Sequence, residues 1–240
     1  DREVVPEGLA ASAERLAEDL SQAVILPGFV NTHTHLELTG FPQLQEPDFS
    51  GWIRRLRELK AARTPAEYAA AARQGLADCY AAGVTTIADT GDTGAVIQAL
   101  AESRGSGIAY QEVFGPHPDQ AEKSLAGLQC RVAELRPLSL GRVRLGVSPH
   151  APYTVSGRLF RSAARWARAE GLPLAVHIAE SRAETQLLAT NSGPCADAWR
   201  ARGIPMPSPA GRTPVEWLAE HEVLSSQCLC IHAVQVEAGD

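Results

Sequence analysis

Basic residues are sparse and unclustered in this sequence, and lysine is almost missing. The 240 residues carry a formal net charge of −6, and the only lysines are Lys60 and Lys123. A protein that binds a nucleic-acid backbone neutralises phosphates with grouped Lys and Arg, so this class of partner is not expected. With 45% hydrophobic, 21% charged and 5% aromatic residues, the composition is that of an ordinary globular protein of one large or two small domains.

Long apolar runs and export signals are missing as well. No stretch reaches the roughly 20 apolar residues that a transmembrane helix needs. The first residues, DREVVPEGLAASAERLAEDL, are acidic and typical of a helix rather than of a signal peptide. The cysteines are odd in number and scattered, which indicates buried thiols in a reducing compartment: Cys79, Cys130, Cys195, Cys228 and Cys230. We therefore expect a cytoplasmic protein with no membrane partner.

Short β-rich runs alternate with helical stretches rich in Ala, Leu, Arg and Glu. Six strands are predicted, at residues 25–31, 84–89, 108–115, 143–150, 172–180 and 227–234. Helices are predicted at residues 51–63, 65–82, 95–103, 120–136, 156–171 and 214–224, and a long polar connection at residues 181–213. Strands that alternate with helices form right-handed βαβ units and a parallel sheet, so the predicted class is α/β.

The polar residues at the strand ends separate the two α/β architectures that fit this order. Acidic and imidazole side chains stand at or just beyond the carboxyl ends of the strands: His33, His35, Asp89, Glu112, His150, His177 and His232. In a (β/α)8 barrel these ends converge on one mouth, where catalytic residues collect. A doubly wound sheet lacks its usual marker, because no Gly-x-Gly-x-x-Gly follows the first strand. The pattern therefore predicts a TIM-type (β/α)8 barrel.

His33 and His35 end the first apolar run, in ILPGFVNTHTHLEL at residues 25–38. Residues i and i+2 of a strand point to the same face, so the two imidazoles are expected side by side. Burying two such groups is costly unless something binds them, and a metal ion commonly does. Two solvated histidines at a strand end are the alternative that these residues alone leave open.

Six motifs in order resemble the amidohydrolase superfamily, in its branch of amino-heterocycle deaminases and chlorohydrolases. They are PGFVNTHTHLEL at 27–38, GVTTIAD at 83–89, SPHAPYTVS at 148–156, VHIAES at 176–181, PVEWL at 214–218 and CIHAV at 230–234. The resemblance implies one divalent metal ion, zinc before iron, bound by His33, His35 and His177 and by an aspartate after an eighth strand. It also implies that Glu180 moves a proton from water to a ring nitrogen and that His232 orients the water.

Three further side chains are expected to contact the substrate: His150, Trp52 and Glu37. The first of these stands in SPHAPYT, where bracing the loop is the alternative role, and the other two belong to the first βα loop. Structural roles are expected for Asp89, His117 and His221.

Other metal-enzyme classes lack their signatures in this sequence. There is no His-Glu-x-x-His of a zincin protease. The Pro-Cys-x-x-Cys of cytidine deaminases is not met, because Pro194 and Cys195 are followed by Ala-Asp-Ala. Two-metal members of the superfamily use a carboxylated lysine on the fourth strand, and residues 143–150 contain no lysine. One metal ion is therefore expected.

The sequence departs from the family pattern at both ends. Residues 1–24 are interpreted as the remnant of an N-terminal segment or small β domain, and residues 25–240 as an incomplete barrel of about six βα units. Strands seven and eight, with the metal-binding aspartate, are not in this sequence. We expect the isolated chain to be inactive or poorly folded, because six strands leave two parallel edges unpaired.

The resemblance implies a hydrolytic deaminase of a small amino-substituted heterocycle, purine or nucleoside-like, such as an aminofutalosine or an adenosylhomocysteine. Guanine, cytosine-like and triazine substrates are the alternatives that stay open. A homo-oligomer is compatible with this expectation. A chlorohydrolase or cyclic-amide hydrolase would use the same site. An inactive metal-binding fragment is the alternative from another class.

Overall fold

A computed structural model describes residues 22–46 and 48–240 of the chain, and the interpreted remnant at residues 1–24 lies mostly outside them. The strands are β1 (Phe29–Thr34), β2 (Val84–Gly91), β3 (Gly107–Val113), β4 (Val143–Pro149), β5 (Leu174–Ile178) and β6 (Cys228–His232). The helices are α1 (Phe49–Ala62), α2 (Pro65–Ala81), α3 (Ala95–Glu102), α4 (Ala121–Leu135), α5 (Gly157–Ala169), α6 (Arg182–Thr190), α7 (Gly193–Ala201) and α8 (Pro214–Glu220).

The described strands form one parallel sheet in chain order from β1 to β6. Laid flat, six strands would separate the two edges by about 24 Å, because neighbouring strands lie about 4.8 Å apart. The imidazole rings of His33 on β1 and His232 on β6 nevertheless stand 5.2 Å apart. The sheet is therefore curled into a nearly closed barrel, and the predicted TIM-type architecture, truncated to six units, is confirmed.

Side-chain oxygens cap the first turn of five of the eight described helices, α1, α2, α5, α6 and α8. Thr64 and Thr213 each cap a helix, α2 and α8, in reciprocal capping boxes with Glu67 and Glu216. Each of these two helices has proline at its first position, where the missing N–H costs nothing. Ser156 caps α5 by accepting from the N–H of Leu159, without a capping box or a proline. These local features explain why the predicted boundaries of α2, α5 and α8 lie close to the observed starts.

The main core lies between the outer face of the sheet and the helices, and a smaller apolar group fills the barrel. Phe160 on α5 is fully buried and meets Trp217 of α8 edge to face, with ring centroids 5.2 Å apart. Inside the barrel, Tyr110, Ala175 and Ile231 pack together. This inner packing closes the barrel below its carboxyl-terminal mouth, so polar residues at the strand ends face a shared space.

Two predicted elements differ from the structure. The first strand begins at Phe29, four residues later than predicted, and Ile25 and Leu26 are 75% and 66% exposed in irregular chain. β1 pairs with β2, whose first residue, Val84, lies opposite Phe29, so the residues before Phe29 have no strand partner among the described residues. The segment predicted as a long polar connection contains α6 and α7. Ser181 caps α6 by accepting from Glu184 N, and Pro194 stands in the first turn of α7.

Apolar side chains are exposed along both edges of the sheet. Beside β1 they are Val24, Ile25, Leu26, Phe29 and Val30, and after β6 they are Val234 and Val236. Throughout residues 22–46 and 48–240, no helix has the length and apolar character needed to cross a membrane.

Candidate metal and catalytic site

Four imidazole rings meet at the carboxyl-terminal mouth of the barrel. The ring centroid of His33 lies 4.8 Å from that of His35, 5.0 Å from that of His177 and 5.2 Å from that of His232. The rings of His35 and His177 stack at 5.3 Å with an interplanar angle of 5°. The predicted side-by-side placement of His33 and His35 is therefore confirmed, and rings from β5 and β6 join them.

An unusual backbone conformation carries His232 into this cluster. Its β5 neighbour in the register is Ile178, which packs into the core between sheet and helices. Strict alternation would give His232 the same outward direction. Instead His232 has φ +75° and Ala233 has φ +52°, values that non-glycine residues seldom adopt. This turn at the strand end brings the ring of His232 within 5.4 Å of that of His177.

The hydrogen bonds of the histidines leave ring nitrogens open toward one another. Nδ1 of His35 donates to the carbonyl of Thr90 at 2.7 Å, which leaves its Nε2 as an acceptor. His177 Nδ1 lies 3.2 Å from the carbonyl oxygen of His150, whereas His177 Nε2 and His33 Nδ1 are buried without a hydrogen-bond partner among the described residues. A buried ring nitrogen without a hydrogen-bond partner lowers the stability of the fold, and a bound cation removes that penalty. The donor set therefore fits a divalent metal ion.

One atom from each of His33, His177 and His232 lies within 4.8 Å of the others, and Glu112, His150 and His177 form a second such group. Burial is the main cause that lowers the histidine pKa values, and neighbouring imidazoles add to it. The pKa of His33 and of His35 is lowered to about 4 and that of His150 to about 3, and that of His177 lies still lower. The rings of His33, His35, His150 and His177 are therefore neutral at pH 7, as metal ligation requires.

Glu180 stands directly after β5, beside the histidine cluster. Its Oε2 accepts a hydrogen bond from the Tyr153 hydroxyl at 2.8 Å, and its Oε1 lies 3.5 Å from Nε2 of His232. The Glu180 N–H donates to Oε2 of Glu184 at 2.9 Å. A carboxylate held beside an imidazole in this way can receive and return a proton.

Glu112 at the end of β3 is a second carboxyl group at the mouth. Its Oε1 lies 4.0 Å from His150 Nε2 and 4.0 Å from His177 Nδ1, and it has no hydrogen-bond partner in the part of the chain that the structure describes. Burial raises the pKa of Glu112 to about 8. His150 itself pairs with the hydroxyl of Thr154 at 2.8 Å and stands beside the ring of Phe114. His150 is thus part of the mouth, as predicted.

The other two residues predicted to contact substrate have different surroundings. Glu37 is 1% exposed, and its carboxylate accepts the N–H groups of Asp92 and Thr93 at 3.3 Å. Lys60, on α1, lies 3.5 Å from the same carboxylate. Trp52 lies on the first turn of α1, with 37% of its surface exposed. The carboxylate of Glu37 therefore contacts Asp92, Thr93 and Lys60 and not the histidine cluster.

Hydrogen bonds with the backbone account for the three residues expected to be structural. Asp89 is 1% exposed and accepts from the N–H of Leu36 at 2.7 Å. His221 donates from Nδ1 to the carbonyl of Trp217 at 2.7 Å, and His117 accepts from the N–H of Asp119.

The sequence reasoning assigned no role to three residues that hold the site: Thr90, Tyr153 and Glu184. Tyr153 lies inside the SPHAPYT motif, only three residues after His150, so the motif could have drawn attention to it. Glu184 is the third residue of a Ser-x-x-Glu helix start, a pattern that predicts a cap but not a buried carboxylate. Thr90 acts through its carbonyl group, for which a sequence carries no marker.

Buried carboxyl groups predict a pH-dependent stability of the metal-free protein. Protons bound by all other groups contribute equally to the wild type and to a Glu112→Gln variant, so they cancel in the difference between the two. The pKa of Glu112 is about 8 in the fold and 4.5 unfolded, so between these values the folded chain binds the extra proton and loses stability as pH rises. Relative to a Glu112→Gln variant, whose amide does not titrate, the free energy of unfolding should fall by up to about 1.4 kcal/mol per pH unit from pH 6.5 to 8. Urea unfolding in EDTA measures this difference, and a difference independent of pH would contradict it.

A family model described as "Amidohydrolase family" matches residues 24–193. An aminodeoxyfutalosine deaminase of Deinococcus radiodurans is 34% identical over 251 residues, covering 98% of this chain and 57% of that protein. A 5-methylthioadenosine/S-adenosylhomocysteine deaminase of Desulfitobacterium hafniense is 23% identical over 225 residues, covering 92% of this chain and 48% of that protein. The chain thus spans about half the length of these relatives.

A solved structure with a similar fold is the zinc complex of the atrazine chlorohydrolase TrzN from Arthrobacter aurescens TC1. The TM-score is 0.65 at 18% sequence identity, over 88% of this chain and 49% of that one. At this identity the likeness concerns the fold, and it agrees with the curled parallel sheet described above.

Proposed function

Because this chain belongs to the amidohydrolase family, we propose that its complete protein is a metal-dependent hydrolase that releases ammonia from an amino-substituted heterocycle. The observation that carries the proposal is the meeting of four imidazoles with the Glu180 carboxylate at the barrel mouth. This set combines ligands for a cation with a group that transfers protons, which is what hydrolysis of an unreactive C–N bond needs.

We assign His33, His35 and His177 as the residues that would hold one divalent ion, zinc before iron. Support comes from the unpartnered His33 Nδ1 and His177 Nε2 and from the Thr90 hydrogen bond that orients His35. The zinc in the chlorohydrolase of the same fold agrees with this choice. Such an ion supplies Lewis acidity that makes a water molecule nucleophilic near neutral pH.

The protein's own groups then move protons and orient the reactants. Glu180 accepts the proton that water loses as its oxygen bonds to the ring carbon, and returns it to the adjacent ring nitrogen. His232, 3.5 Å from Glu180, orients the water and stabilises developing negative charge. The added hydroxyl then gives up its remaining proton to the amino group, the C–N bond breaks, ammonia leaves, and the ring keeps the oxygen as a carbonyl. His150, Trp52 and Glu37 are proposed to contact the substrate.

The proposed substrate class is a small adenine-type nucleoside derivative, such as an aminofutalosine or an adenosylhomocysteine. The relatives named above, an aminodeoxyfutalosine deaminase and a 5-methylthioadenosine/S-adenosylhomocysteine deaminase, support this choice. We further propose that the protein works in the cytoplasm, on a small molecule, and without nucleic-acid or membrane partners.

A chlorohydrolase is the second candidate, since the structure of the atrazine chlorohydrolase shares this fold. Chloride would leave in place of ammonia, and a cyclic amide would open at the same site. For the isolated chain, a metal-binding fragment without catalysis is the third candidate, because the chain spans about half of its relatives.

Product analysis separates these candidates. The complete, zinc-loaded protein is incubated with adenine-type nucleosides, guanine, cytosine and a chlorinated triazine, and ammonia and chloride are measured. Ammonia from the nucleosides alone is the expected result. If the triazine released chloride and no nucleoside released ammonia, the deaminase proposal would be wrong and the chlorohydrolase would be the function.

The assignment of ligands predicts different behaviour for two histidine variants. His35→Asn should lose zinc, because a ligand is removed. His232→Asn should keep one zinc per chain but lower kcat by about a hundredfold, because only the orientation of water is lost. Zinc content after dialysis and kcat are measured on both. If His232→Asn lost its zinc and His35→Asn kept it, His232 would be the metal ligand and His35 would not. The short separations among His33, His177 and His232 would accommodate that arrangement.

A further inference from the structure

The main chain around Glu180 is fixed by a buried carboxylate. Ala179 N and Glu180 N donate to the two oxygens of Glu184, each at 2.9 Å, and Glu184 is fully buried. Ala179 has φ +51°, so the chain leaves β5 by a sharp turn at this point. Paired N–H groups on one carboxylate hold that turn, and the Cα of Glu180 has little freedom to move.

The side chain of Glu180 is fixed by a different residue. Its Oε2 accepts from the Tyr153 hydroxyl at 2.8 Å, whereas its Oε1 lies 3.5 Å from His232 Nε2. One oxygen is therefore occupied by a donor, and the other faces the histidine cluster. Burial and the charge of Glu180 hold the pKa of Tyr153 well above its usual value, so the hydroxyl keeps its proton at neutral pH.

Tyr153 in turn is held by the helical segment that follows Glu180. A second hydrophobic cluster consists of Ala151, Tyr153, Leu187, Cys195, Ala196, Trp199 and Ile204. Most of these residues belong to α6, to α7 or to the turn after α7. Trp199 Nε1 donates to the carbonyl of Tyr153 at 2.8 Å, and the tyrosine is 7% exposed. The side chain of Tyr153 is thus fixed by apolar packing, and its backbone is fixed by the hydrogen bond from Trp199.

We propose that Tyr153 is a positioning residue, held by the α6–α7 segment, that directs the Glu180 carboxylate so that Oε1 is presented for proton transfer. The proposal rests on the proposed role of Glu180. A carboxylate without this donor would rotate about its side-chain bonds, and small displacements of a reacting group reduce rates steeply. The α6–α7 segment thereby acts on catalysis indirectly, through Tyr153 and Glu180.

Tyr153→Phe tests the proposal in the complete, zinc-loaded protein, because it removes one oxygen and keeps the ring. We expect kcat to fall about tenfold or more, with KM within about twofold and zinc content unchanged. Tyr68→Phe is the matched control, since it also loses a buried hydroxyl bond, to the carbonyl of Lys60 at 2.7 Å, away from Glu180. Both variants should lower the unfolding midpoint to a similar extent, but the control should keep wild-type kcat.

Trp199→Phe extends the test to the supporting segment. It removes the indole N–H that holds Tyr153 and should lower kcat in the same direction, by less than Tyr153→Phe. A kcat of Tyr153→Phe within twofold of wild type would overturn the positioning role.

Crystal structures of wild type and Tyr153→Phe separate this inference from the proposed function. If wild type releases no ammonia, the deaminase proposal fails, while a Glu180 carboxylate rotated in the variant would still support positioning by Tyr153. A carboxylate unmoved in the variant overturns the positioning role, whatever the activity of wild type.

Discussion

Replacing Glu180 by glutamine is expected to lower kcat for ammonia release by about a hundredfold to ten-thousandfold. Glutamine keeps the size of the side chain and can still meet the Tyr153 hydroxyl, but it cannot take a proton from water. KM and zinc content should change little, because the residue is not among the proposed metal ligands. Steady-state kinetics with metal analysis measures all three quantities.

The matched control for this variant is Glu170→Gln, a surface carboxylate that pairs with Arg136 at 2.7 Å. It should retain wild-type kcat, because an exposed ion pair contributes little to stability and nothing to the site. A Glu180→Gln protein with kcat within about threefold of wild type would remove Glu180 from the proton-transfer role.

His177→Asn is expected to weaken zinc binding by more than about a hundredfold and to abolish turnover. His177 is 2% exposed, and its Nε2 has no hydrogen-bond partner among the described residues. This nitrogen is therefore available to bind a metal ion. Zinc affinity is measured by competition with a chelating dye, and turnover at saturating zinc.

His117→Asn serves as the control for loss of an imidazole, because His117 caps a short turn before α4 by accepting from Asp119 N. This variant should bind zinc as wild type does. If His177→Asn retained wild-type zinc affinity, the metal would have to be bound elsewhere in the protein.

The sheet order and the histidine cluster were predictable from sequence because both follow from strand periodicity. In a parallel barrel every strand carries its carboxyl end to the same mouth, so residues placed just after strands meet in space. His33, His35 and His177 needed only this rule to be brought together. The 5.0 Å between the rings of His33 and His177 is the structural consequence.

The supports of the site were not predictable in the same way. The resemblance implied a role for His232, but not the left-handed backbone that carries its ring into the cluster, because alternation along β6 would turn it outward. Glu184 looks like an ordinary helix-start residue, yet it is fully buried against two backbone N–H groups. Such contacts depend on tertiary packing and not on local spacing, so a single sequence does not reveal them.

The secondary structure of residues 181–213 was also not predictable from the local sequence. Its polar composition favoured a loop, but Ser181 and Pro194 begin two short helices that bury Leu187, Cys195 and Trp199. The apolar residues are too few to give a clear helical period, and the helices are stabilised by packing around Tyr153. The late start of β1 has a comparable cause, since an edge strand lacks the neighbour that would order its first residues.

Titration of the metal-free complete protein with zinc, with ammonia release measured at each step, tests the central claim most directly. One ion bound by His33, His35 and His177 predicts activity that rises linearly to one zinc per chain and stays constant beyond it. Activity that is unchanged by zinc, or that rises until two zinc ions are bound per chain, would contradict a single-metal deaminase site.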